Sequence, residues 1–162
     1  MKTSSKNREV RVLIHDIRST HNVGSIFRTA DAAGVSRVYL SGFSPTPLDK
    51  YGRERRDIAK VSLGGEKSVS WEYTDNHFKL IKKLKKEGFE IVGLEQGENS
   101  VDYKKFKISK QILLIVGNEV AGMDKKVLSL CDKIVEIPMK GEKESLNVSV
   151  AFGVAIYRIL GI

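Results

Sequence analysis

Short apolar runs punctuate the chain at Val10–His15, Val38–Leu40, Glu90–Leu94, Ile112–Val116 and Ile134–Ile137. Runs of this length, rich in Val, Ile and Leu, read as strands buried on both faces. Val69–Tyr73 is a further, more polar strand candidate. Between them, Asn22–Ala33, Asn76–Glu87, Asp124–Leu130 and Leu146–Leu160 carry apolar residues at helical spacing. Alternation of this kind predicts an α/β fold, with a mostly parallel sheet and helices on both faces. One stretch breaks the rhythm. Pro45 to Lys67 mixes Pro, Gly and the charge cluster Arg53-Glu54-Arg55-Arg56, and is expected to be a long surface excursion with one short helix.

In the first predicted helix, Val23, Ile26, Phe27, Ala30 and Ala33 form one apolar stripe, and Gly34 stands where a left-handed cap belongs. Arg28 falls on the opposite side, with Gly24 one turn before it. Two readings stay open: Gly24 leaves space for whatever Arg28 holds, or it serves helix entry while Arg28 is a surface residue near Asp31. The last helix is apolar on nearly every side, which predicts burial, yet it opens with Ser145 and Asn147. Polar groups taken out of water are costly unless hydrogen-bonded, so a cap or a ligand is expected there. Ser145 is placed as the N-cap. Asn147, read as two residues inside the helix, points to a site.

A length of 162 residues fits a single domain spanning the chain. Residues 1–9 are polar and basic, are expected to be flexible, and lack the apolar core of a signal peptide. No apolar run approaches the ~20 residues that span a bilayer, so no membrane association is expected. Lone Cys131 excludes an intrachain disulfide and suggests a reducing, cytoplasmic setting. It is read as a small core residue in a helical stretch. The bias is in charge: 28 Lys+Arg against 20 Asp+Glu leave +8, an excess that favours polyanionic partners.

Candidate chemistry lies where strands end. Ser19-Thr20-His21-Asn22-Val23-Gly24 opens a helix after the first strand, where free amide hydrogens suit an anion. Gly117-Asn118-Glu119-Val120-Ala121-Gly122 follows another strand, and Leu94-Glu95-Gln96-Gly97 a third; parallel sheets bind ligands at such ends. Neither the G-x-G-x-x-G fingerprint nor the G-x-x-x-x-G-K-[ST] loop is present, which argues against a nucleotide-dependent oxidoreductase. His15, His21 and His77 show no ligand spacing with carboxylates or Cys131, so no metal is expected. His15 and His77 are read as structural or solvated.

Taken together and in order, Asn22–Ala30, Ile115–Met123 and the Ile137-Pro138-Met139 to Ala151 segment resemble the SpoU (TrmH-like) branch of the SPOUT RNA methyltransferases. Lys60 to Glu66 is similar to a further segment of that family, and the resemblance covers essentially the whole chain. It implies a C-terminal trefoil knot, although threaded chains are nearly absent from folds. It also implies S-adenosylmethionine as cofactor, a homodimer with a shared active site, and methylation of a ribose 2′-hydroxyl in tRNA or rRNA. By the same resemblance Asn22, Arg28, Glu119, Ser145 and Asn147 serve catalysis, and Leu94, Glu95, Gly117, Ile137, Met139 and Leu146 line the cofactor.

RNA contacts are expected from Arg18, Arg53, Arg55, Arg56 and Lys60, with Arg8 and Arg11 as further candidates. No DNA partner is expected. The first strand begins near residue 10 and nothing follows the last helix, which suggests a bare catalytic core and favours tRNA over rRNA. The competing reading is a catalytically silent RNA-binding or ribosome-assembly protein on the same fold.

Overall fold

The computed structural model describes residues 8–162. Strands β1 (Glu9–His15), β2 (Arg37–Ser41), β3 (Trp71–Tyr73), β4 (Glu90–Leu94), β5 (Val101–Asp102), β6 (Gln111–Val116) and β7 (Lys133–Glu136) form one seven-stranded sheet in the order β3-β2-β1-β6-β4-β7-β5. Every ladder is parallel. The flexibility expected of residues 1–9 falls outside the described residues except at Arg8 and Glu9, and Glu9 already pairs with Gln111.

Successive side chains of a strand point to opposite faces, and β1 divides accordingly. Val10, Val12 and Ile14 pack with α1 (Thr20–Ala33) and α6 (Val148–Leu160), whereas Leu13 joins α4 (His77–Lys86) and α5 (Lys125–Leu130). The expected two-faced α/β architecture is therefore present. Helix α1 starts because Ser19 Oγ accepts the Asn22 N–H at 3.1 Å. It stops at Gly34, whose φ of 80° ends the helix in a left-handed cap.

The segment expected as a long surface excursion with one short helix is packed and carries two. It holds α2 (Arg56–Ser62) and α3 (Gly65–Ser68), and Ile58, Ser62 and Glu66 are buried. This corrects both readings of Gly24. A Cβ there would come within 2.9 Å of the Ile58 carbonyl oxygen and of Val61 Cβ, so the missing side chain lets α2 lie directly on α1.

Further expectations change. Helix α6 begins at Val148 with Asn147 as its N-cap, so Ser145 lies outside it. Its start is not buried: Ser145, Leu146 and Asn147 are exposed, and along the helix Val150, Val154 and Tyr157 are 51%, 38% and 39% exposed. Cys131 follows α5 as its C-cap rather than lying within it, and burial pushes its thiol up to about 11. Strand β5, at the sheet edge, carries no apolar run that would predict it, and Ile137 lies just beyond β7.

Candidate active site

The carboxyl ends of β4, β6 and β7 open into a cleft of about 400 Å³, within the size range of small-molecule sites. Leu94 closes β4, Gly117 follows β6 and Ile137 follows β7, so sheet order brings distant segments side by side. All of the predicted cofactor residues, Leu94, Glu95, Gly117, Ile137, Met139 and Leu146, line this one cleft.

Its walls are held by hydrogen bonds. The Glu95 carboxylate accepts the Gln96 N–H at 3.0 Å and the Met123 N–H at 3.1 Å, tying the β4 end to the loop after β6. A side chain at Gly122, where φ is +68°, would run into that carboxylate. Asn118 Oδ1 accepts the Val120 and Ala121 N–H groups at 2.9 and 2.8 Å, a side-chain turn of the kind Asn favours. Asn118 Nδ2 donates to the Asp16 carbonyl at 2.9 Å and joins this loop to the end of β1. Asn118 and Ser19 are structural residues of the site that sequence reading did not single out. The signal for Asn118 was its place directly after Gly117 at a strand end.

At the lip of the cleft three of the predicted catalytic residues meet. Glu119 Oε1 accepts from the Ser19 N–H at 3.1 Å and from Asn22 Nδ2 at 3.3 Å, and Oε2 lies 3.4 Å from the Arg18 nitrogen. The carboxylate thus occupies the N-terminus of α1, where free amides and the helix dipole favour a negative charge. Burial works to raise its pKa, but bonds from its own amide, Ser19, Asn22 and Arg18 outweigh burial and hold it below the ordinary value. Asn147 Nδ2 donates to Asn22 Oδ1 at 3.1 Å, while Asn147 Oδ1 accepts the Ser149 and Val150 N–H groups. A hydrogen-bonded chain therefore runs from α6 through Asn22 to Glu119, across residues 125 and 97 positions apart. Asn22 is only 7% exposed.

Ser145 lines the cleft with Glu119. Arg28 does not join them. It is exposed on α1, lines neither the cleft nor the adjoining groove of Asp16, Arg18, Ser19 and Asn22, and has no hydrogen bond or ion pair among the described residues. Asp31 does not hold it.

The basic candidates divide in the same way. Arg18 lines the groove, its guanidinium 4.5 Å from the Phe43 ring centroid. Arg53 is paired with Asp49 at 2.9 Å and Arg55 with Asp57 at 3.0 Å, both on the surface. Arg56 and Lys60 are exposed and have no ion pair among the described residues. Arg11 is engaged by Glu9 and Tyr39, and Arg8 donates to the Ile159 carbonyl; both act as structural ties.

Residues 9–157 match the SpoU rRNA Methylase family. Over 152 residues the chain is 31% identical to the tRNA (guanosine(18)-2′-O)-methyltransferase of Aquifex aeolicus, covering 94% of this chain and 69% of that protein. It is 36% identical over 149 residues to a Staphylococcus aureus protein named for the TrmH family of tRNA/rRNA methyltransferases, covering 91% of this chain and 57% of the other. The fold superposes on the AdoMet-bound rRNA methyltransferase of Sinorhizobium meliloti with a TM-score of 0.84 at 26% identity, covering 96% of this chain and 57% of that one. The chain thus spans little more than half the length of the last two.

Proposed function

Because the chain belongs to the SpoU rRNA methylase family, we propose that it is an S-adenosylmethionine-dependent RNA methyltransferase acting on a ribose 2′-hydroxyl. The observation that carries this reading is the Asn147–Asn22–Glu119 chain, which ties the first motif to the lip of a cleft lined by the second and third.

The cleft suits the cofactor on its own chemistry. Apolar side chains of Leu94, Ile137, Met139 and Leu146 offer contact to a flat base and an alkyl chain, and Gly117, where a side chain would run into Met123, lets the loop after β6 fold tightly along the cleft wall. When bound, S-adenosylmethionine supplies an electrophilic methyl group on a sulfonium. The protein's part is then to fix the ribose oxygen at near-attack distance, which supplies roughly 7–11 kcal/mol of a barrier. Asn22 is suited to this task, because a neutral amide donates and accepts without titrating. Asn147 and Glu119 hold that amide from both sides. Glu119 is thereby a positioning residue that orders the start of α1. Ser145, which lines the cleft, serves in this reading as a further substrate contact.

Arg28 enters from a second copy of the chain in this reading. It stands away from the cleft of its own chain, while α6 exposes Val150, Val154 and Tyr157 beside the site. Apolar faces of this kind are what homodimer interfaces bury. A guanidinium is effectively always charged, so Arg28 acts as a cation rather than as a base. It grips the adjoining phosphate in a fork and stabilises charge developing on the attacking oxygen.

The RNA is proposed to be tRNA, as named for the Aquifex relative, reached over the surface of Arg18, Arg56 and Lys60. The C-terminal segment is proposed to thread as the trefoil knot implied by the family, and the setting to be the cytoplasm. Calorimetry with S-adenosylmethionine, followed by tritiated methyl transfer into total RNA from a strain lacking the gene, tests the reading. Stoichiometric binding with transfer that Asn22→Ala abolishes supports it. Binding without any transfer would support the silent RNA-binding alternative.

A further inference from the structure

On the face of the sheet covered by α4 and α5, three groups far apart in sequence meet. His15 closes β1, His77 is the first residue of α4, and Asp124 caps α5. One potential ligand atom from each lies within 4.8 Å of the others. Linear spacing hid this arrangement, because each group comes from a different element, and His15 and His77, expected to be structural or solvated, lie in ring contact.

The surroundings fit a ligand set better than a packing accident. Among the described residues, His77 Nε2 is the one buried side-chain polar atom without a hydrogen-bond partner, a state that proteins avoid because it costs free energy. His15 is 9% exposed, and its Nδ1 lies 2.8 Å from the hydroxyl of fully buried Ser41. Ligating histidines are held in this way through their other nitrogen. The two imidazole centroids are 4.1 Å apart. Burial holds both rings below the ordinary histidine range. Asp124 spends Oδ1 on the Val127 N–H at 2.8 Å, which leaves Oδ2 for a cation.

We propose that His15, His77 and Asp124 bind one borderline divalent cation of the zinc type, with a position left to water. Two imidazoles and one carboxylate suit Zn²⁺ and disfavour Mg²⁺ or Ca²⁺, which prefer oxygen ligands. The cation would cross-link β1, α4 and α5. Asp124 adjoins Met123, whose amide forms part of the cleft wall through Glu95, so the cross-link stiffens the wall without touching the reacting groups.

The test uses the tag-free protein stripped with a chelator, titrated with Co²⁺ by visible absorption and with Zn²⁺ by calorimetry. One equivalent should bind, with intense low-symmetry cobalt bands. His77→Gln should abolish saturable uptake. Asp124→Asn keeps the helix cap, since Asn caps as well as Asp, and should weaken binding at least tenfold. His21→Gln should bind like wild type, and circular dichroism confirms that each variant is folded. Absence of saturable uptake by wild type overturns the proposal, as does wild-type affinity in either His77→Gln or Asp124→Asn.

Discussion

Asn147 serves two ends with one side chain. Its oxygen caps α6 through Ser149 and Val150, and its nitrogen reaches Asn22. The two uses separate by substitution. Asn147→Ala should lose about 1 kcal/mol of stability with the cap, together with most methyl transfer. Asn147→Ser retains a good cap but is too short to reach Asn22, so its thermal melt should stay near wild type while transfer falls as in Asn147→Ala. Glu119 gives the counterpart in pH. Its folded pKa lies below the ordinary 4.5, so its stabilising contribution is fully present above that value and is lost as pH falls through the folded value. Urea unfolding of wild type and Glu119→Gln should therefore show a stability gap that is constant at neutral pH and closes in acid. The composition of this site was legible: Asn22, Glu119 and Asn147 stand in ordered motifs. Their division of labour was not, because the cap depends on where α6 starts, and Leu146 looked like the first apolar helical residue.

Elements were legible where pattern alone decides. Buried strands announce themselves as runs of Val, Ile and Leu, and β1, β4 and β6 fall within a residue of expectation. Where contact with another element decides, local pattern fails. The segment carrying α2 and α3 has few apolar residues, yet Ile58 is fully buried against α1. Gly24 tests this directly. At an exposed helical site Gly→Ala gains about 1 kcal/mol. Here the new methyl would meet Ile58 and Val61 at 2.9 Å, and overpacking costs about 1–3 kcal/mol. Gly24→Ala should therefore lower stability in chemical denaturation rather than raise it. Helix α6 is expected to be buried from its all-round apolarity, yet Val154 and Tyr157 are exposed, and an apolar face of this kind fits the proposed dimer interface as well as a core.

For the whole molecule, the separation of Arg28 from Asn22, Glu119 and Asn147 leads to a subunit-mixing prediction. Arg28→Ala and Asn147→Ser should each be inactive alone. Unfolded together and refolded, they should regain activity, because the proposed shared site takes an intact Arg28 from one copy and an intact Asn147 from the other. Val154→Arg, which places a charge in the exposed α6 face, should yield a monomer by light scattering with transfer lost. Failure of mixing to restore activity would place Arg28 in its own chain's site.

The most direct measurement asks where the methyl group goes. RNA labelled by the protein with tritiated S-adenosylmethionine is hydrolysed in alkali, which cleaves only next to a free 2′-hydroxyl. Label recovered in an alkali-resistant dinucleotide, and absent with Asn22→Ala, is the result predicted. Label released in mononucleotides, as from a methylated base, would contradict the account.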